Sequence, residues 1–423
     1  MKTIFEQTRW SLTDLLAVPD GPQLNDSLSQ LEETLGDLES ARTQLSPDIS
    51  EAAFLDILQR YESVSTGARR LGAYAFLWFT EDTQHQPALN FKGRIDQMLA
   101  AASNRMLFFS LWLKNMDDAT AERLIKVSGD RRYYLEALRH FKPHTLTESE
   151  EQIITLKDVN GIDALVTIYD MLTNRFVFTL EVDGQRKTLT RDELGAYARH
   201  PSADVRAAAY RELYRVYAEN STILAEIYNY RVRDWQAEML QLRHYAEPIS
   251  ARNLANDIPD AVTSVLLSVC QQNNHLFQRY FKLKAKWLGL NRLRRYDIYA
   301  PLLEAEKKYD YAASVEMVLN SFRDFSPVLA DQARRIFADG HIDSTPRPGK
   351  RGGAFCYGVL PGVSPWVLIN FSGRVRDVAT LAHELGHAVH ALMATDHSVL
   401  TFHSSLPLAE TASTFSEILL TER

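Results

Sequence analysis

The sequence predicts a mainly α-helical protein carrying a small antiparallel β-sheet beside one late helix, and three observations predict it. Apolar residues recur at three- and four-residue spacing along most of the chain, as in Leu28, Leu31, Leu35 and Leu38. β-prone runs are short and confined to two places, one around Phe178 and one between Ala354 and Phe371. No fixed-period repeat and no long Gly/Ser- or Pro-rich linker interrupts the pattern.

Helical spacing runs from Pro22 to His140. Within it, Ala73-Tyr74-Ala75-Phe76-Leu77-Trp78-Phe79 is apolar nearly all round, as suits a helix buried on several sides. After Arg175 the period shortens. Phe176, Phe178 and Leu180 alternate with other residues, Asp183-Gly184 supplies a tight turn, and Lys187-Thr188-Leu189 completes a β-hairpin. Pro201 then ends one helix, and Ser202 caps the next, which carries Val205, Ala208, Leu213, Val216 and Tyr217 towards Leu240. Breaks at Asp257-Ile258-Pro259 and Gly289-Leu290-Asn291 bracket a further helical stretch. The chain thus divides into an N-terminal helical region, 1–190, ending in the hairpin, and a second region, 191–423.

The stretch from Asp339 to Gly353, with its prolines, glycines and the cations Arg347, Lys350 and Arg351, reads as an exposed loop. It leads into Ala354-Phe355-Cys356-Tyr357-Gly358 and then Pro365-Trp366-Val367-Leu368-Ile369-Asn370-Phe371, the two runs of the predicted sheet.

Composition narrows the function. A net charge of −7 with both signs interspersed leaves no basic stripe to follow a phosphate backbone, so nucleic acid is not an expected partner. Arg131-Arg132-Tyr133-Tyr134 and Arg292-Leu293-Arg294-Arg295-Tyr296 are too short to change that. Cys270 and Cys356 lie far apart and form no C-x-x-C pair, which argues against a disulfide framework and points to a reducing compartment. Met1 to Trp10 lacks the apolar core of a secretory signal, and no run is apolar enough to span a bilayer; the expected location is the cytoplasm, with no membrane partner.

Chemistry concentrates in Asp377–Met393, a helix by spacing, where His383-Glu384-Leu385-Gly386-His387 matches H-E-x-x-H. Residues four apart lie one turn above each other, so both imidazoles can reach one zinc ion. Glu384 then stands beside the ion without ligating it, placed to take a proton from the attacking water and pass it to the leaving nitrogen. Hydrolytic zinc needs a third protein ligand and an open position for water. Glu410, early in a helix that starts near Pro407, is the candidate; Glu417, seven residues on and on the same face, can accept an N–H from a ligand histidine. A structural zinc site would need a fourth ligand, for which His390, His397 and His403 are the nearby candidates, and Cys356 reads as a small hydrophobe.

The run HELGHAVH followed by AETAS, preceded by GKRGGAF and PWVLINF, resembles the oligoendopeptidase F branch of the thimet-oligopeptidase-like zinc peptidases. Weaker similar stretches are Trp10-Ser11-Leu12, Val205 to Tyr217, and Tyr296-Asp297-Ile298-Tyr299-Ala300-Pro301. The resemblance implies a multi-helix, channel-type fold and endopeptidase action on short unstructured peptides. It implies zinc on His383, His387 and Glu410, with Glu384 as base. It makes Trp366, Val367, Leu368, Ile369 and Asn370 the edge strand that pairs with substrate, and Gly352-Gly353 a place of close backbone approach. Such proteins continue into a further helical portion bearing Tyr and His residues that stabilise the oxyanion. That portion lies beyond Arg423, so the resemblance also implies an incomplete site and exposed Leu419 and Leu420.

Two other activities remain open on the sequence. A zinc carboxypeptidase would use Lys350 or Arg351 to hold a terminal carboxylate. A metal-binding but inactive remnant would keep the ligands without turnover. An aminopeptidase is disfavoured, because no acidic motif for a free amine precedes the motif helix.

Overall fold

The computed structural model describes residues 5–302 and 308–422. Met1 to Ile4, part of the stretch read for a signal, and the terminal Arg423 lie outside them.

The N-terminal helices are α1 (Pro22–Ser40), α2 (Glu51–Glu81), α3 (Gln86–Asn115), α4 (Asp118–Lys126), α5 (Arg132–His140), α6 (Glu148–Asn160) and α7 (Ile162–Asn174). As the apolar spacing predicts, Leu31, Leu35 and Leu38 of α1 are buried against α2 and α3, while Ala73, Ala75, Leu77 and Phe79 bury several sides of α2.

The hairpin follows as β1 (Phe178–Val182) and β2 (Gln185–Leu189), antiparallel, with Val182 opposite Gln185. Its turn residues Asp183 and Gly184 both have positive φ, 54° and 72°, the left-handed pair that a two-residue hairpin turn demands. Next come α8 (Arg191–Ala196), α9 (Ala203–Glu219), α10 (Ser221–Trp235), which continues as a π-helix over Gln236–Leu242, α11 (Ser250–Ala255), α12 (Asp260–Gln272) and α13 (Asn274–Trp287). Ser202 caps α9 through Val205, as read from sequence. Phe178, Leu180 and Val182 of the hairpin share a small core with Leu194, Ala209 and Val216, so the hairpin packs with the residues that follow position 190.

The last part holds α14 (Tyr311–Phe325), α15 (Pro327–Ala338), β3 (Ile342–Asp343), β4 (Phe355–Tyr357), β5 (Trp366–Leu368), α16 (Val375–Met393) and α17 (Leu406–Thr421). The sheet has the order β3-β5-β4: β4 pairs with β5 antiparallel, as expected, and β3 adds a parallel strand that no alternation could announce in two residues. The sheet separates two cores. Trp366 and Leu368 face the N-terminal helices, whereas Val367 and Ile369 face α14, α15 and α16, which is the period of two expected of a strand covered on both faces.

The loop before β4 departs from the exposed segment read from its composition. Lys350 and Asp343 are buried, and the Lys350 Nζ bonds Asp343 Oδ1 at 2.8 Å and the Ile369 carbonyl at 2.7 Å. Arg347 grips the same carboxylate with two nitrogens, at 2.7 and 2.6 Å. An acid one residue into β3 thus neutralises two loop cations and folds the loop inward, a pairing that composition cannot reveal. Leu419 and Leu420 also depart from expectation: both pack against the second core, and the exposed large apolar residues of α17 are Leu406, Leu408, Phe415 and Ile418.

Candidate metal centre

Helix α16 is anchored at its start by Asp377, whose Oδ2 accepts the Ser372 and Arg374 amides at 2.8 and 3.1 Å. Its buried stripe is Val378, Leu381, Ala382, Leu385, Ala388, Val389 and Leu392. That stripe fixes the helix rotation and leaves His383 and His387 on its flank.

Helix α17 meets α16 unusually closely. A Cβ on Gly386 would lie 2.6 Å from Ser416 Oγ and 2.8 Å from the Ala412 carbonyl oxygen, so glycine is what allows this crossing. Ser413 and Ser416 are buried in the same contact. Gly386→Ala is expected to push the helices apart, costing about 1–3 kcal/mol of stability and weakening metal affinity together. Thermal denaturation and metal titration of the variant check this; unchanged affinity would show that the close crossing does not set the site.

The crossing brings Glu410 Oε2 to 3.4 Å from His383 Nε2 and 3.7 Å from His387 Nε2. Ligands about 2.0–2.1 Å from a tetrahedral zinc stand roughly 3.4 Å apart, so the two Glu410 separations are close to what a shared ion needs, and the three ligand atoms all lie within 4.8 Å of one another. Ser413 Oγ donates to Glu410 Oε2 at 2.9 Å and steadies it. Glu417 Oε2 lies 3.4 Å from His383 Nδ1, where the sequence reading placed it. Glu384 is 6% exposed; burial first, then the neighbouring Glu410, pushes its carboxyl up to about 8. Burial also lowers the His387 imidazole, favouring the neutral form that ligates. His390, His397 and His403 are outside the three-residue ligand group, so none closes a four-ligand structural site among the described residues. His403 lines a neighbouring cavity, where burial and Arg69 bring it down to about 4.

Two cavities of about 450 and 370 Å³ meet at this centre, both lined by Ala354, His383 and Glu384. Cys356 faces the smaller one; burial, then Glu384, raises its thiol well above the usual range, in keeping with a small hydrophobe.

The substrate strand read from sequence needs correction. Trp366, Val367 and Leu368 form the central strand, paired with β3 on one side and β4 on the other, and are fully buried. They have no edge to offer. Ile369 lines the larger cavity, but its N–H goes to the Asp343 carbonyl at 2.9 Å and its carbonyl takes Lys350 Nζ. The outer strands are β3 and β4, and β4 is the one at the cavities. Asn370 and Gly353 do line the larger cavity, with Asn370 Nδ2 on the Gly353 carbonyl at 2.9 Å. The Gly353 N–H is held by Asp192 at 3.0 Å and the Gly352 N–H by Asn174 at 3.1 Å, so these glycines fix the loop with their amides already engaged. Lys350, buried on Asp343, cannot hold a terminal carboxylate. Arg351 packs over Phe76 at 5.3 Å and lies 3.7 Å from Asp170. The carboxypeptidase reading therefore loses the cations that suggested it.

Sequence reasoning missed Gly386, Ser413 and the cavity arginines Arg199 and Arg376. The glycine inside H-E-L-G-H, read against the small residues of Ala409-Glu410-Thr411-Ala412-Ser413, was the available signal for the first two.

Known proteins resemble this chain over nearly its whole length. Residues 112–178 match the family described as Oligopeptidase F, and residues 196–423 match Peptidase family M3. The chain is 25% identical over 433 residues to the Group B oligopeptidase PepB of Streptococcus agalactiae, covering 99% of this chain and 70% of that protein. It is 25% identical over 428 residues to the chromosomal oligoendopeptidase F of Lactococcus lactis subsp. cremoris, again covering 99% and 70%. The crystal structure of oligoendopeptidase F from Enterococcus faecium superimposes with a TM-score of 0.67 at 21% identity, covering 96% of this chain and 67% of that one, which shows a shared fold. Because the second family match spans more than half of the residues and contains both helices of the centre, the chain belongs to peptidase family M3.

Proposed function

We propose that this peptidase is a zinc-dependent endopeptidase that cuts internal bonds of short, unstructured peptides in the cytoplasm. The observation that carries the reading is the pair of separations, 3.4 and 3.7 Å, between Glu410 and the two motif histidines at the junction of two cavities. His383, His387 and Glu410 would hold the ion. When bound, zinc lowers the pKa of water into the neutral range and polarises the scissile carbonyl.

The chain's own residues do the rest. Glu417 orients His383 through Nδ1, directing Nε2 into the site. Ser413 holds the Glu410 carboxylate. Glu384, buried between the cavities, accepts the proton of the attacking water and delivers it to the leaving nitrogen. Strand β4 has one side free of other strands among the described residues, and an extended peptide can add to it through backbone hydrogen bonds. A folded protein has already paired those backbone groups, which accounts for a preference for unstructured chains.

The test is metal analysis of the purified chain alongside cleavage of a short internally quenched peptide. Expected are one zinc per chain, internal cleavage, loss of cleavage on chelation and its return with zinc. Cleavage that survives complete metal removal would exclude the zinc mechanism. Bound zinc without cleavage would leave the inactive-remnant alternative in its place.

A further inference from the structure

The larger cavity carries an arrangement that the hydrolytic step does not use. Its wall on the side of the α16 start contains Arg199, Arg374 and Arg376. Of its four acids, Asp192 accepts the Gly353 amide, Asp377 Oδ2 accepts two amides at the start of α16, Glu417 faces His383, and Glu384 stands at the far end, on the junction with the smaller cavity. Arg374 makes contacts of its own. Arg199 lies over the Tyr299 ring at 5.0 Å, and among the described residues neither Arg199 nor Arg376 has an ion-pair partner.

Like charges gathered on one wall repel, and that wall favours an anion. Burial, then Arg376, lowers the pKa of the Arg199 guanidinium, in keeping with the two cations sensing one another. Guanidinium groups recognise carboxylates through short, charge-assisted hydrogen bonds.

The placement relative to β4 gives the direction. Ala354, just before β4, is common to both cavities, and Gly358, just after it, lines the smaller one. A peptide paired with β4 therefore runs from one cavity to the other past Glu384. In antiparallel pairing, the more frequent kind, its C-terminal half lies in the arginine-lined cavity.

We propose that Arg199 and Arg376 form a carboxylate-binding subsite that reads a negative charge on the C-terminal side of the scissile bond, supplied by an acidic side chain or by the peptide's free C-terminus. This rests on the peptidase reading. The geometry makes the two arginines specificity residues that raise affinity for charged peptides.

The test uses quenched peptides of one core sequence in four forms: free acid or C-terminal amide, each with Glu or Gln on the C-terminal side of the cut. They are compared on the full chain and on Arg199→Gln, Arg376→Gln and the double variant. Cleavage is read as kcat/KM, and binding as fluorescence anisotropy of the labelled peptides. The wild type is expected to prefer a charged form on the order of tenfold, carried by KM, with the preference falling towards one in the double variant. A free-acid preference assigns the subsite to the C-terminus; a Glu-over-Gln preference between amidated peptides assigns it to a side chain. Cleavage with no charge preference, or with one that survives in the double variant, overturns the subsite and leaves the peptidase reading intact. Charge-dependent binding that the double variant loses, without any cleavage, upholds the subsite and overturns the peptidase reading. Absence of both cleavage and charge-dependent binding overturns both.

Discussion

Glu384→Gln is expected to retain the metal and to lose roughly 10²–10⁴-fold in kcat. Glutamine keeps the shape of the side chain but its amide cannot take up the proton that hydrolysis releases. The metal should stay because Glu384 is not in the ligand group, which is His383, His387 and Glu410. Stability should not fall, since the substitution removes a carboxyl that is only 6% exposed and lies near Glu410. Metal content, kcat and thermal denaturation measured on one preparation separate the cases. Full activity with bound zinc would remove Glu384 from the mechanism. Loss of zinc would mean that the carboxylate helps to hold the ion.

How far the sequence could reach is shown by the two halves of the site. His383, Glu384 and His387 were legible because one helix carries all three and helical geometry alone decides that the histidines converge. Glu410 sits on a second helix. Its candidacy came from the need for a third ligand, but its distance from the histidines depends on how closely α17 crosses α16, which Gly386 and Ser416 set in space. The strand assignment failed for a related reason. The run Trp366 to Phe371 has the composition of a strand, and composition correctly placed β5, yet whether a strand is central or outer depends on its neighbours. Here β3 contributes only Ile342 and Asp343, too short to register as a period. Lys350 shows the same limit in electrostatics. A cation among prolines and glycines is ordinarily solvated, and only the buried Asp343 seven residues earlier reverses that expectation. Arg199 and Arg376 meet across 177 positions of sequence, with nothing local to mark either.

That buried network leads to the largest expected effect on stability. Asp343→Ala leaves the Lys350 ammonium and the Arg347 guanidinium without their shared counter-charge, and breaking a buried pair from one side costs about 3–5 kcal/mol. Both Asp343 and the Lys350 side chain are fully buried, so solvent screening offers little relief. Three carbonyls, those of Asp343, Thr345 and Ile369, still accept from Lys350 Nζ, but none cancels its charge. The pH dependence has a definite sign. Burial already lowers the Lys350 pKa to about 8 in the intact protein, below its ordinary value of 10.5. A lysine with a depressed folded pKa binds fewer protons folded than unfolded between those two values, so stability rises with pH across that window. Removing Asp343 takes away the group that opposes the depression, extending the window downward. The deficit of Asp343→Ala relative to wild type should therefore shrink as pH rises towards 8. Urea unfolding at several pH values measures it, and a deficit below about 1 kcal/mol at neutral pH would rank the network with ordinary surface pairs. Lys350→Met gives the complementary case: Asp343 keeps both Arg347 hydrogen bonds, so the loss should be smaller, and the double variant should be less destabilised than the two singles added together. Because Lys350 also ties the loop to the Ile369 carbonyl, one residue before Asn370 at the cavity wall, the unfolding deficit should be accompanied by a rise in KM.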